Sequence, residues 1–345
     1  MIKESDILAM LVSRTSPEKG DVIEGVQAQD DAAVLRIRPG FDLCVTTDFV
    51  RGTGFRLFQT GHLNLRSVGY YVVAANVSDL AAMGSEPLGF LSVLRYRPER
   101  SKDDIMQILD GIDMACKDFK CQLVGGDSGT YEADVLSGTA IGIVEAGRQL
   151  SRSTMSSGQA VFVTGDIGRP AAALAAVTRG PDLVRKSQLD RALQKWIKPE
   201  PRIAMGRALV ASGLAISCMD VSDGLAASLQ QLSRIAKVGF IIDEERLPLD
   251  PAVDAIAAAL HMEKAELGCG PSVDFELLFS APIDQTEIVM DIAARCQTHV
   301  TQIGVTTADQ LIRMRRPDGQ FRRAFPGKPW DHQVRDIGDL FKPDA

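Results

Sequence analysis

Short apolar runs of strand length alternate with longer stretches of helical spacing along most of this chain. Residues 5–13 read as a short helix. Val34-Leu35-Arg36-Ile37 and residues 42–47 read as two strands around a turn at Pro39-Gly40. From Leu63 to Met83 apolar residues dominate, with Arg66 and Asn76 as interruptions. That pattern predicts a long, mostly buried helix carrying Ser78-Asp79 in its last part. A strand over 89–94, an amphipathic helix near 102–119, and strands over 121–125 and 135–145 follow.

A loop rich in Ser, Thr and Gly, Ser151 to Gly158, opens a second half. Ala160-Val161-Phe162-Val163-Thr164-Gly165 reads as a strand ending in a glycine turn, and 171–177 as a helix. Pro199 and Pro201 punctuate the chain before a helix over 203–211. A strand over 214–219 then runs into a turn at Asp220, and a helix over 224–236 starts there, with Asp223 as its best cap candidate. Strands and helices alternate in both halves, so the pattern predicts an α+β or α/β protein of two domains, 1–146 and 147–345.

Composition narrows the partners. The chain has 345 residues and a formal net charge of −7, with 45% hydrophobic and 24% charged residues, ordinary values for a soluble globular protein. No dense Lys/Arg stripe favours nucleic acid, and no apolar run approaches a membrane span. The polar start, Met1-Ile2-Lys3-Glu4-Ser5-Asp6, does not read as a secretory signal, so a cytoplasmic protein is expected. The six cysteines form no CxxC pair, and buried free thiols are expected rather than disulfides.

Five segments place aspartates beside small residues: Gln29-Asp30-Asp31-Ala32-Ala33, Thr46-Thr47-Asp48, Ser78-Asp79-Leu80-Ala81-Ala82-Met83-Gly84, Gly125-Gly126-Asp127-Ser128 and Asp220-Val221-Ser222-Asp223-Gly224-Leu225. Any one alone reads as a turn or a helix cap. Together they fit hard oxygen ligands converging on Mg²⁺ and a polyphosphate, where the backbone must come close. The chain has no GxxxxGK[ST] phosphate loop, no GxGxxG after a strand, no HExxH and no GxSxG. ATP handled without a lysine cradle leaves metal ions to carry much of the phosphate recognition. Asp30, Asp31, Asp48, Asp79, Asp127, Asp220 and Asp223 are candidate ligands, Thr47 and Ser222 candidate hydroxyl contacts, and Arg152 a candidate phosphate contact. Trp330 is either a core residue or a ring stacked on a ligand.

On these segments the chain resembles the thiamine-monophosphate kinases, of the superfamily that holds aminoimidazole ribonucleotide synthetase, selenophosphate synthetase and the hydrogenase maturation protein HypE. The resemblance implies a two-domain PurM-like α+β fold, with N-terminal sheets pairing in a homodimer and ATP bound between the domains. It implies transfer of the ATP γ-phosphate to thiamine monophosphate, giving thiamine diphosphate. By carry-over Asp30 or Asp31, Thr47, Asp48, Asp79, Asp127, Asp220 and Asp223 would hold magnesium, with Asp48, Asp127 and Asp220 central to catalysis. Gly126, Arg152 and Ser222 would contact ATP.

The chain departs from that family on its substrate side. A family histidine before Phe55 is Gly54 here, and the first glutamate of Gly-Gly-Glu-Asp-Tyr-Glu-Leu is Val273 in Pro271-Ser272-Val273-Asp274-Phe275-Glu276-Leu277. Trp330 stands where the family has an aromatic residue near the thiamine ring. A phosphorylated acceptor other than thiamine monophosphate, an ATP-dependent synthetase of the aminoimidazole ribonucleotide type, and a non-catalytic nucleotide-binding paralogue are the alternative readings.

Overall fold

The computed structural model describes Val22–Glu24, residues 33–327 and Phe341. The sequence expectations for residues 5–13, Asp30, Asp31 and Trp330 lie outside the described residues.

The first half is one six-stranded sheet with helices on a single face. Its strands are β1 (Val22–Glu24), β2 (Ala33–Arg38), β3 (Phe41–Val50), β4 (Glu86–Tyr96), β5 (Gln122–Thr130) and β6 (Val135–Glu145). They lie in the order β1-β2-β3-β6-β4-β5. The β4–β5 pair is parallel and the other pairs are antiparallel. Along β6 buried and half-buried residues alternate without a break from Val135 to Val144. That period of two puts one face of the sheet on the core and leaves the other accessible. A one-turn helix α1 (Arg56–Gln59) is followed by α2 (Leu65–Ala82) and α3 (Lys102–Asp118), and α2 and α3 pack together on the buried face.

Helix α2 is the long buried helix expected from the sequence. Its N-cap is Asn64, whose side chain accepts the Ser67 N–H at 2.8 Å. Sixteen of its eighteen residues are buried, so the helix is apolar all round and runs through the interior. Its last turn leaves the first sheet: Ala81 and Ala82 belong to the core cluster of the second half, with Phe162, Leu277 and Phe279. The helix therefore carries residues 76–79 to the junction of the two halves.

The second half has a mixed sheet of β7 (Gln159–Thr164), β8 (Ser217–Val221), β9 (Gly239–Asp243), β10 (Glu276–Pro282), β11 (Val300–Thr307) and β12 (Ile312–Arg315), in the order β12-β9-β11-β7-β10-β8. Every residue of β7 and β8 is buried, as in strands covered on both faces. The cover comes from α4 (Arg169–Arg179), α5 (Lys186–Ile197), α6 (Ile203–Ser212), α7 (Leu225–Ala236), α8 (Pro251–Ala259), α9 (Lys264–Cys269) and α10 (Thr286–Arg295). Helix α6 crosses α2 so closely that a Cβ on Gly206 would lie 2.0 Å from the Ala81 carbonyl oxygen. No described helix is long and apolar enough to cross a membrane.

Candidate functional site at the junction of the two halves

Each half delivers carboxylates to the same place. From the first half, Asp48 comes from β3 and Asp79 from the last turn of α2. Thr46, two residues before Asp48 and on the same face of β3, donates from Oγ1 to Asp79 Oδ2 at 2.6 Å. Asn76, one of the polar interruptions in the apolar run, is fully buried; it donates to the Val72 carbonyl at 2.8 Å and accepts the Asp48 N–H at 2.9 Å. That bond pins the backbone of β3 to α2 and fixes where Asp48 stands.

From the second half come Asp220, at the end of β8, and Asp223 in the turn after it. Ser78 joins the two groups by donating from Oγ to Asp220 Oδ2 at 2.7 Å, and Ser222 Oγ lies 3.2 Å from Asp220 Oδ1. Burial pushes the Asp220 carboxyl above its ordinary range, against the Ser78 bond and the Arg152 charge, which favour its ionised form. Asp79 is raised too, first by loss of solvent and then by the charges of Asp48, Asp220 and Asp223. Tyr71 feels the same charges after burial itself, from Asp48, Asp223 and Asp220. Four carboxylates thus act on one another across the junction.

Arg152 faces them. Its backbone is tied to β8 by the Ser217 hydroxyl, which donates to the Ser151 carbonyl at 2.8 Å and lies 3.2 Å from the Arg152 carbonyl. Its Nη1 donates to Gln231 of α7 at 2.9 Å. Among the described residues no three carboxylates are close enough together to share one ion as ligands.

Other expected residues stand apart. Thr47 is exposed on the opposite face of β3, because side chains alternate along a strand; its hydroxyl donates to the Gly138 carbonyl at 2.6 Å. Thr46 takes the place in the cluster expected of Thr47. Asp127 lies on β5, the exposed edge of the first sheet, and pairs with Arg95. That partner holds its carboxyl below the usual range. Gly126 sits beside it at φ 152°, where a Cβ would lie 2.0 Å from the Ser92 carbonyl oxygen, so the close strand contact there requires glycine. Asp223 is not the cap of α7. The N-cap is Gly224, at φ 92°, where a Cβ would lie 1.9 Å from the Gly270 carbonyl oxygen.

Gly54 and Val273 border an aromatic group that sequence reasoning missed. Phe55 meets Tyr71 and Trp196 edge-on at 5.3 and 5.2 Å, Tyr71 stacks on Trp196 at 5.7 Å, and Phe275 meets Tyr71 at 5.4 Å. Val273 is buried in the same core, whereas Gly54 is exposed and only the Arg51 Cβ lies within 4 Å of a Cβ built on it. The signal for Trp196 was its place in the amphipathic α5, which the apolar pattern passed over.

Behind this wall lies a cavity of about 90 Å³ lined by Arg169, Gln194, Lys195, Lys198, Glu200, Arg202, Asp274 and Glu276. Glu276 is saturated there: Thr164 donates at 2.6 Å, Lys195 at 2.8 Å, and Arg202 through two bonds of 2.7 Å. Asp274 Oδ1 accepts the Gly168 N–H at 2.9 Å at the start of α4, while its Oδ2 is buried with no hydrogen-bond partner among the described residues.

Residues 29–144 match the family model for the N-terminal domain of AIR synthase related proteins, and residues 156–316 match the C-terminal domain. A thiamine-monophosphate kinase of Pyrococcus abyssi is 33% identical over 258 residues, 75% of this chain and 78% of that protein. The enzyme of the same name from Escherichia coli K12 is 30% identical over 309 residues, covering 89% and 91%. A solved structure described as AaThiL complexed with AMPPCP and TMP superposes with a TM-score of 0.78 over 96% of this chain and 97% of that one. At 22% identity it speaks for the fold alone.

Proposed function

The chain belongs to the thiamine-monophosphate kinase family, and from that premise we propose that it transfers the γ-phosphate of ATP to the phosphate of thiamine monophosphate. The observation that carries this reading is the meeting of Asp48 and Asp79 from one half with Asp220 and Asp223 from the other, opposite Arg152. A cluster of anions does not suit a naked polyphosphate. It suits a polyphosphate that arrives with hard cations.

Asp48, Asp79, Asp220 and Asp223 would hold Mg²⁺, with Asp30 or Asp31 as further candidates. Bound there, the metal supplies neutralisation of the phosphate oxygens. Ser78 and Thr46 orient the Asp220 and Asp79 carboxylates by donating to them, and Asn76 holds Asp48 in line. Arg152 offers its fork of donors to an ATP phosphate, and Ser222 adds a hydroxyl. Because the ligands come from both halves, binding ATP clamps 1–146 against 147–345. The direct test is ADP formation from ATP and Mg²⁺ with and without thiamine monophosphate. Turnover that ignores the acceptor would overturn the reading.

Acceptor selection rests on the departures at Gly54 and Val273. A histidine restored at Gly54 meets open space, whereas a glutamate at the buried Val273 would bring an unpaired charge into the core. Gly54→His is therefore expected to raise kcat/KM for thiamine monophosphate up to about tenfold, the worth of roughly one good hydrogen bond, while the KM for ATP stays put. Steady-state kinetics with both substrates varied checks this.

A homodimer joined through the first sheets is also proposed. Its support is the exposed edge strand β5 with Leu123 and Val124, continued by Phe49, Val93 and Tyr131 on the open side of that sheet. An uncovered strand edge flanked by large apolar side chains favours a second copy. Light scattering at micromolar concentration is expected to give twice the chain mass, and Val124→Lys to return the chain mass.

A further inference from the structure

Helix α3 ends in a Schellman motif whose two facing positions are both cysteine. The Cys121 N–H donates to the Cys116 carbonyl at 3.0 Å, the Lys120 N–H donates to the Lys117 carbonyl at 3.2 Å, and Lys120 takes the left-handed conformation at φ 56°. In this motif the side chains at the first and last of these six residues touch across the turn, ordinarily as an apolar contact. Here they are Cys116 and Cys121, 4% and 6% exposed, packed in the core of the first half.

We propose that Cys116 and Cys121 form a redox modification site, closing to an intramolecular disulfide that staples the end of α3 to the start of β5. The backbone has already brought the two residues together, so closing the bond needs little chain movement. The thiols are also unequal. Their mutual hydrogen bond pulls Cys121 below its ordinary value and, with burial, pushes Cys116 up. Burial drives the Cys269 and Cys296 thiols upward, away from reactivity.

The chemistry balances with hydrogen peroxide as oxidant. The Cys121 thiolate attacks one peroxide oxygen, the O–O bond breaks, and hydroxide leaves as water after taking the Cys116 proton. The Cys116 thiolate then attacks the sulfur of the resulting sulfenic acid and expels its oxygen as hydroxide, which takes up the proton that Cys121 had given to solvent and becomes a second water. Two electrons pass from the sulfurs to the peroxide, and a thiol reductant reverses the step. Asp118 stands inside the closed turn. It accepts from the Tyr70 hydroxyl at 3.0 Å and pairs with Lys198 of the second half at 2.9 Å, so the staple also stiffens a contact between the halves.

The test treats the full chain with hydrogen peroxide and counts thiols in denaturant. A loss of two thiols and of two hydrogens in intact mass is expected, reversed by dithiothreitol. Trypsin cuts at Lys117 and Lys120, so the linkage appears as two peptides joined through Cys116 and Cys121. Cys121→Ser abolishes the loss, and Cys116→Ser stops at a sulfenic acid trappable on Cys121. Neither residue touches the carboxylate cluster, so both variants keep ATP turnover, which also reports that they fold. A full thiol count after peroxide, a linkage through any other cysteine, or the same intramolecular linkage count in Cys116→Ser overturns the proposal.

Discussion

Asp79→Asn is expected to lower ATP turnover at least a hundredfold while raising the melting temperature of the metal-free protein. The two signs have one origin. Asp79 is pushed toward the protonated form first by burial and then by the charges of Asp48, Asp220 and Asp223 around it. Asparagine keeps the oxygen that accepts from Thr46 and removes one of the crowded charges. The apo protein is then relieved of like-charge repulsion, worth on the order of 1 kcal/mol or about 1–2 °C in a chain of 345 residues. The same exchange deletes an anionic ligand, and the melting shift produced by Mg²⁺ with ATP should shrink with it. Melting curves with and without Mg²⁺-ATP, beside turnover at limiting Mg²⁺, check both halves. A variant destabilised in every condition would mean that Asp79 is structural.

The sequence carried this cluster because its chemistry needs small neighbours. Ser78-Asp79 on a buried helix and Asp220-Val221-Ser222-Asp223 at a strand end were visible as motifs, and so was the polar interruption at Asn76. It did not carry the sidedness of β3. Thr46 and Thr47 are the same residue type, and only the register against β6 and α2 decides which hydroxyl meets Asp79. Asp127 shows a different limit: its motif reads the same on a covered strand as on the exposed edge it occupies beside Arg95. The elements from β9 to β12 escaped the reading for a third reason. Strand β10 shows no alternation and lacks the glycine turn that marks the equally buried β7, and short helices such as α9 leave too few turns for a period to emerge. Trp196 lies outside this group, on α5, another element the reading passed over.

Glu276→Gln is expected to destabilise the protein by about 3–5 kcal/mol, the usual result of removing one partner from a buried ion pair. Burial alone would raise the Glu276 carboxyl; Lys195 and Arg202 outweigh it and hold the group below its ordinary range. Glutamine leaves those two cations facing an amide that can accept with only one of its two atoms. The contribution of Glu276 is present above the ordinary glutamate range and disappears as pH falls through its depressed value, so wild type and variant converge in acid. Asp274, two residues earlier in the same cavity wall, has the opposite sign. Its carboxyl is raised to about 7 from 3.8, first by burial, against the Lys195 charge. A raised group adds stability below its unfolded value and loses it as pH climbs through the folded one. Asp274→Asn, which can still accept from Gly168, is thus expected to match wild type near pH 3.5 and to exceed it above pH 7, by at most about 4 kcal/mol. Urea melts of both variants from pH 4 to pH 8 separate the two carboxylates: the Glu276→Gln deficit widens with rising pH and then levels, and the Asp274→Asn advantage grows until pH 7. Parallel curves for the two variants would show that the cavity does not set these charges apart.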